Sequence, residues 1–319
     1  MIFDVFNGDA DGICALQQLR LADPLESALV TGIKRDIKLL EKITPEPGDS
    51  VTVLDVSMEK NKAALIQMLE KGISVTYFDH HMAGDIPEYP NLDVHIDTAP
   101  NVCTSLLVNG YLKGKFLAWA VTGAFGDNLY DSAIRAAKPL ALSQIELDAL
   151  RELGTCINYN GYGASIDDLF YAPDDLFRKV HPYENPLDFI AADPAFEVLK
   201  NGYADDLNQA GTLKPEIEEQ SVAMFVMPDE KWARRISGVF ANQLAREHPA
   251  RAHALLTEKP DGSFLVSVRS PLENKAGADK LCSQFPTGGG RQAAAGINQL
   301  ESASLESFVN AFRATYSAA

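Results

Sequence analysis

Short apolar runs that end in aspartate recur through the first part of this chain. Ile2–Phe6 leads to Asp9 and Asp11, Val51–Leu54 leads to Asp55, and Ile73–Phe78 leads to Asp79. Between them lie stretches with helical spacing: Ile13–Leu21, a short Ile37–Ile43 stopped by Pro45 and Pro47, and Lys60–Lys71 closed by Gly72. Leu29–Gly32 reads as one more strand. Apolar strands alternating with helices predict parallel βαβ units with right-handed crossovers. Open parallel sheets bind ligands beyond the carboxyl ends of their strands. A chain of this pattern therefore delivers carboxylates, one strand after another, to a single rim. Two carboxylates about 4 Å apart repel by roughly 1 kcal/mol in water and about 4 at an effective dielectric of 20. Such crowding needs a compensating cation.

Four segments carry that chemistry: NGDADG at 7–12, LDVS at 54–57, FDHH at 78–81 and GAFGDN at 123–128. They supply Asp9, Asp11, Asp55, Asp79 and Asp127 with the adjacent His80 and His81. Carboxylates with one or two imidazoles suit Mn²⁺ or Mg²⁺. Two such ions about 3.5–4 Å apart activate water and clamp a phosphoryl oxygen. The D-x-D-G pattern also opens calcium loops. Such a loop needs a third acid two residues on and a glutamate at its twelfth position, where this chain has Ile13 and Arg20. Ser57 reads as a helix N-cap rather than a nucleophile. Cys14, Cys103, Cys156 and Cys282 form no C-x-x-C pair and read as buried apolar residues.

Lys and Arg number 28 against 44 Asp and Glu, a net charge of −16. Long nucleic acids are held by many cation–phosphate contacts, so either the substrate is small or any nucleic acid is gripped locally by a few cations, which argues against a processive nuclease. No apolar run approaches the roughly 18 residues of a membrane span. The N-terminal MIFDVFNGDADG lacks the basic and apolar regions of a signal peptide. A cytoplasmic protein without membrane contact is expected, as monomer or homodimer. The expected organisation is a metal-binding catalytic domain at 1–190, a helical connector at 191–222 and a smaller α/β domain at 223–319. That last domain contains a hairpin turning at Pro260–Gly262, the segment FPTGGGRQAAAG and a final helix at Leu305–Tyr316.

The FDHH segment, followed much later by GGGRQAAAG, resembles the DHH–DHHA1 phosphoesterase superfamily, as do the N-terminal motifs in their order. The resemblance covers nearly the whole length. It implies a parallel-sheet DHH domain, a helical connector and a substrate-binding DHHA1 domain. It further implies a hydrolase with two Mn²⁺ ions, Mg²⁺ being an alternative. Asp9 and Asp55 would hold the first ion, with Asn7 where many members have histidine. Asp11, Asp55, His80 and Asp127 would hold the second. His81 and Asp79 would serve catalysis, His81 facing the scissile phosphate. Arg269, Ser270, Gly288, Gly289, Gly290 and Arg291 would bind substrate, with Arg291 in place of the usual histidine after the glycines. The implied reaction is that of a nano-RNase, cleaving 5′-phosphorylated dinucleotides such as pGpG to mononucleotides. The alternatives are a 3′-phosphoadenosine phosphate phosphatase, a polyphosphate or pyrophosphate hydrolase, or an inactive nucleotide-binding module.

Overall fold

All four apolar runs of the N-terminal region form parallel strands: β1 (Ile2–Phe6), β2 (Ala28–Val30), β3 (Ser50–Leu54) and β4 (Ser74–Asp79). A fifth, β5 (Leu92–Ile96), completes a sheet of order β2-β1-β3-β4-β5. No apolar run announces β5, because an edge strand with half-buried residues needs none. The computed structural model describes residues 1–316. They fall into two compact units, Met1–Gly202 and a second beginning at Tyr203.

The helices that frame the first unit are α1 (Ala10–Ala22), α2 (Met58–Glu70), α3 (Thr104–Tyr111), α4 (Leu117–Gly126), α5 (Tyr130–Ala137) and α6 (Gln144–Asn160). Successive strand residues point to opposite faces, and two cores form accordingly. Phe6, Leu54 and Phe78 pack with Ile13, Leu16, Trp119 and Leu153. Val5, Val53 and Tyr77 pack with Leu39, Met58 and Leu65. The expected helix at Ile37–Ile43 is only a single 3₁₀ turn, Leu39–Lys42. It is held by Asn61, which accepts from the Leu40 N–H and donates to the Ile37 carbonyl. Ser57 precedes α2 as expected, but its hydroxyl makes no capping bond.

Helix α4 is buried along nearly its whole length and lies against α1 and α6. Two glycines permit the approach. A Cβ on Gly126 would meet Ala10 Cβ at 2.3 Å, and one on Gly154 would meet the Thr122 carbonyl oxygen at 2.2 Å. The close contact brings Asp127, the next residue, beside the start of α1.

The second unit holds a six-stranded mixed sheet. Its strands are β6 (Ile217–Glu218), β7 (Val222–Met227), β8 (Ala252–Glu258), β9 (Phe264–Arg269), β10 (Gly288–Gly290) and β11 (Ala294–Leu300). They lie in the order β10-β11-β9-β8-β7-β6. Only β7 and β8 pair in parallel, joined by the helix Lys231–Glu247. The β8–β9 hairpin turns where the Pro260–Gly262 signal placed it, with Gly262 left-handed at φ 78°. The architecture is α/β, a parallel sheet with flanking helices and a smaller mixed α/β unit. Among the described residues no helix is long and apolar enough to cross a membrane.

Two outcomes test this packing. Gly154→Ala should lower unfolding stability by about 1–3 kcal/mol in urea titrations, the usual cost of overpacking. His253, fully buried in β8, has its imidazole pushed down to about 4 by burial and then by His248 and Arg251. The unfolded chain, with an ordinary imidazole near 6.5, binds the extra proton first. Stability should therefore be complete above about pH 6.5 and fall as the pH approaches 4, by as much as about 3 kcal/mol. His253→Leu should flatten that part of the pH profile of the thermal midpoint.

Candidate metal centre

Each candidate acid arrives from a different element. Asp9 caps α1, its Oδ1 accepting the N–H groups of Asp11 at 3.0 Å and Gly12 at 3.2 Å. Its Oδ2 accepts from the Lys34 ammonium at 2.5 Å. Asp11 lies in the first turn of α1 and accepts the N–H groups of Thr104 at 2.7 Å and Ser105 at 2.8 Å, so it caps α3. Asp55 follows β3 with its backbone left-handed at φ 58°, a strained conformation for a residue with a side chain. Asp79 ends β4 and Asp127 follows α4. Asp9, Asp11, Asp55 and Asp79 are all buried.

His80 is the centre of the cluster. Its Nδ1 donates to the Val102 carbonyl at 3.0 Å, which leaves the Nε2 lone pair for a ligand. That Nε2 lies 3.4 Å from Asp55, 3.9 Å from Asp11 and 3.9 Å from Asp127. Donor atoms of Asp11, His80 and Asp127 all fall within 4.8 Å of one another, as do those of Asp55, His80 and His81. Four donors of this kind around one gap suit a hard divalent cation. Two further buried oxygens, Asn7 Oδ1 and Asp79 Oδ2, have no hydrogen-bond partner among the described residues. The residues present therefore fit a Mn²⁺ or Mg²⁺ ion.

Charge crowding shows in the protonation of the acids. Burial, then Asp9 and Asp11, drives the Asp55 carboxyl well above the usual carboxylate range. Burial, then Asp11 and Asp9, lifts Asp127 to about 7. Burial works against ionised Asp9 most strongly, yet the Lys34 ammonium, the Gly12 N–H and Asp55 together hold that carboxyl below its ordinary value. Burial disfavours charged His80, and the carboxylates of Asp11 and Asp127 overcome it. His81 is raised first by its hydrogen bond to Asp79, 2.7 Å from Nδ1 to Oδ1.

Asn7, Asp9, Asp55, His80, His81 and Asp127 line one cleft of about 390 Å³, together with Lys34. Asp11 and Asp79 stand behind it. Sequence reasoning missed Lys34, Asn158, Thr104 and Ser105. Lys34 carried a signal, since it follows β2 at the same rim; Asn158, at the end of α6, carried none.

The remaining candidates lie in the second unit. Arg269 donates to Asn242 Oδ1 at 2.7 Å and to Ser267 Oγ at 3.0 Å. With Arg246 and Lys275 it lines a groove of about 320 Å³. Ser270 is buried, its hydroxyl donating to the Gln292 carbonyl at 2.7 Å and lying 3.0 Å from the Tyr316 hydroxyl. Gly288, Gly289 and Gly290 form the edge strand β10, paired to β11. Arg291 is exposed in the turn that follows.

No family model matches the chain, and no curated protein matches it by sequence. Solved structures do. An exonuclease RecJ bound to manganese superposes with a TM-score of 0.65 at 15% identity, over 100% of this chain and 90% of that one. RecJ from Thermus thermophilus in complex with Mn²⁺ gives 0.62 at 17% identity, over 98% of this chain and 51% of that one. PggH from Vibrio cholerae, a pGpG-specific phosphodiesterase, gives 0.57 at 13% identity, over 98% and 97%. The chain shares the fold of these RecJ and PggH structures. The resemblance seen in its motifs thus extends to the fold of the chain along its length.

Asp55→Gly tests the strain at the centre. It removes a left-handed side chain and a buried carboxyl crowded by Asp9 and Asp11, so the metal-free protein should gain about 1 kcal/mol in unfolding stability. The same variant should lose Mn²⁺ binding by calorimetry at least tenfold.

Proposed function

We propose that this protein is a divalent-metal-dependent phosphodiesterase that cleaves short linear oligonucleotides to nucleoside monophosphates. Its preferred substrates are 5′-phosphorylated dinucleotides such as pGpG. The observation that carries this reading is the His80 Nε2 set within 3.4–3.9 Å of three carboxyls, at a cleft that His81 also lines. A cation held by Asp11, Asp55, His80 and Asp127 supplies Lewis acidity toward a phosphoryl oxygen and an acidified water at neutral pH.

The chain's own groups do the rest. Asp79 accepts from His81 Nδ1 and fixes the ring, leaving Nε2 for the substrate. The same bond favours the imidazolium, so His81 can donate a proton to the departing ester oxygen. Within the second unit, the groove lined by Arg246, Arg269 and Lys275 and the exposed Arg291 offer positive charge to an anionic group. The Ser270 hydroxyl is occupied internally, and its part is to fasten β9 to the final helix.

Substrate length is supported by two observations. The net charge of −16 disfavours a long polyanion, and a pGpG-specific phosphodiesterase shares the fold along nearly its whole length. The RecJ likeness supports metal-dependent chemistry on nucleic acid without deciding length. The test is an assay of four homodinucleotides and a length ladder with Mn²⁺ and with Mg²⁺. Mononucleotide release that falls steeply with length is expected. With 3′-phosphoadenosine phosphate and a polyphosphate added to the panel, release of inorganic phosphate from one of these, with the dinucleotides left intact, would instead identify a 3′-phosphoadenosine phosphate phosphatase or a polyphosphate hydrolase. His81→Ala should lower kcat by about 10²–10⁴ with little change in Mn²⁺ affinity.

A further inference from the structure

The DHH resemblance implies two ions, and the two donor sets differ in this chain. The set around His80 gathers four ligands on an open gap. The set around Asp9 does not. Asp9 Oδ2 holds the Lys34 ammonium, a cation, whereas the two Asp11 oxygens accept only backbone N–H groups. Where an imidazole would add a strong donor, Asn7 offers a neutral amide.

Lys34 has not merely swung toward a convenient carboxylate. Its backbone N–H is fixed to the Gly161 carbonyl at 2.8 Å. Its ammonium donates to Asn158 Oδ1 at 2.7 Å, and the Asn158 amide is oriented in turn by donating to the Tyr162 hydroxyl at 3.3 Å. The Tyr162 ring lies 5.8 Å from the same ammonium, within range for a cation–π contact. Residues from the end of α6 and the turn after it are thus arranged around a lysine charge.

We propose that the Lys34 ammonium takes the place of the first of the two cations, so that the centre binds a single divalent ion. The inference rests on the metal-dependent reading above and adds a residue to it. Two of the three ammonium hydrogens serve Asp9 and Asn158, and the third is available to a phosphoryl oxygen in the cleft that Lys34 lines. The buried Asn7 oxygen, without a hydrogen-bond partner among the described residues, is a single neutral acceptor and a weaker donor to a metal than an imidazole. A dication seated on Asp9 and Asp55 would have to expel a charge that several other groups hold.

The measurement is metal stoichiometry, read without any assay of turnover. The full chain, stripped of metal and dialysed against Mn²⁺, should hold one ion by elemental analysis. Its electron paramagnetic resonance should show the hyperfine pattern of an isolated ion. Lys34→Gln should double the bound manganese and give an exchange-coupled spectrum, while Lys34→Arg should keep a single ion. Two coupled ions in the native chain would overturn the proposal, and so would a Lys34→Gln chain that still holds one. If that variant does not fold, the native count alone decides. Absence of any bound ion in the native chain would sink the metal-dependent reading itself, and this proposal with it.

Discussion

Four carboxylic acids buried side by side at one edge of a sheet cannot all be ionised unless positive charge is brought among them. Asp9, Asp11, Asp55 and Asp79 are in that position, with Asp127 at the rim. Lys34, His80 and His81 offset part of the charge. Asp55 and Asp127 still stand well above ordinary carboxylate behaviour. The protein keeps a cluster that destabilises its metal-free fold, and the strained backbone at Asp55 adds to that cost. A site assembled against its own electrostatics is a common mark of ligand binding rather than of structural support.

The scaffold answers this demand with short, redundant ties. The register of β1, β3 and β4 aligns Phe6, Leu54 and Phe78 in adjacent rows, so the acids that follow reach one rim. Behind the rim, Asp4 accepts a two-pronged bond from Arg20, at 2.7 Å and 2.6 Å, and locks β1 to α1. The glycine contact between α4 and α6 brings Asp127 in from the helical layer. Strand order, helix packing and capping therefore converge on the same few ångströms.

Much of this was legible in the sequence because strand ends are conspicuous when an apolar run stops at an acid. Asp9, Asp55 and Asp79 could be placed at one rim on that ground alone. Strand β5 escaped because it is no continuous apolar run: Leu92, Val94 and Ile96 alternate with Asp93 and His95, as an edge strand allows. Nothing in the sequence marks Gly288–Gly290 as a strand, because glycine has little strand preference, and pairing with β11 decides its conformation. The helix expected at Ile37–Ile43 was cut to one turn by side-chain bonds from Asn61, which no local pattern reveals. Lys34 follows β2 at the same rim, but a single lysine after a strand is no distinctive pattern, and its Asn158 partner is far away in the chain.

The double cap from Asp11 onto Thr104 and Ser105 has a practical bearing. One carboxylate both borders the cation gap and fastens the opening turn of a neighbouring helix. Anyone wanting an inert but intact version of this protein, for trapping a bound ligand, would do poorly to begin there, since the replacement would loosen architecture along with chemistry. His81, half open to solvent and hydrogen-bonded to Asp79, is the better place to disarm the molecule.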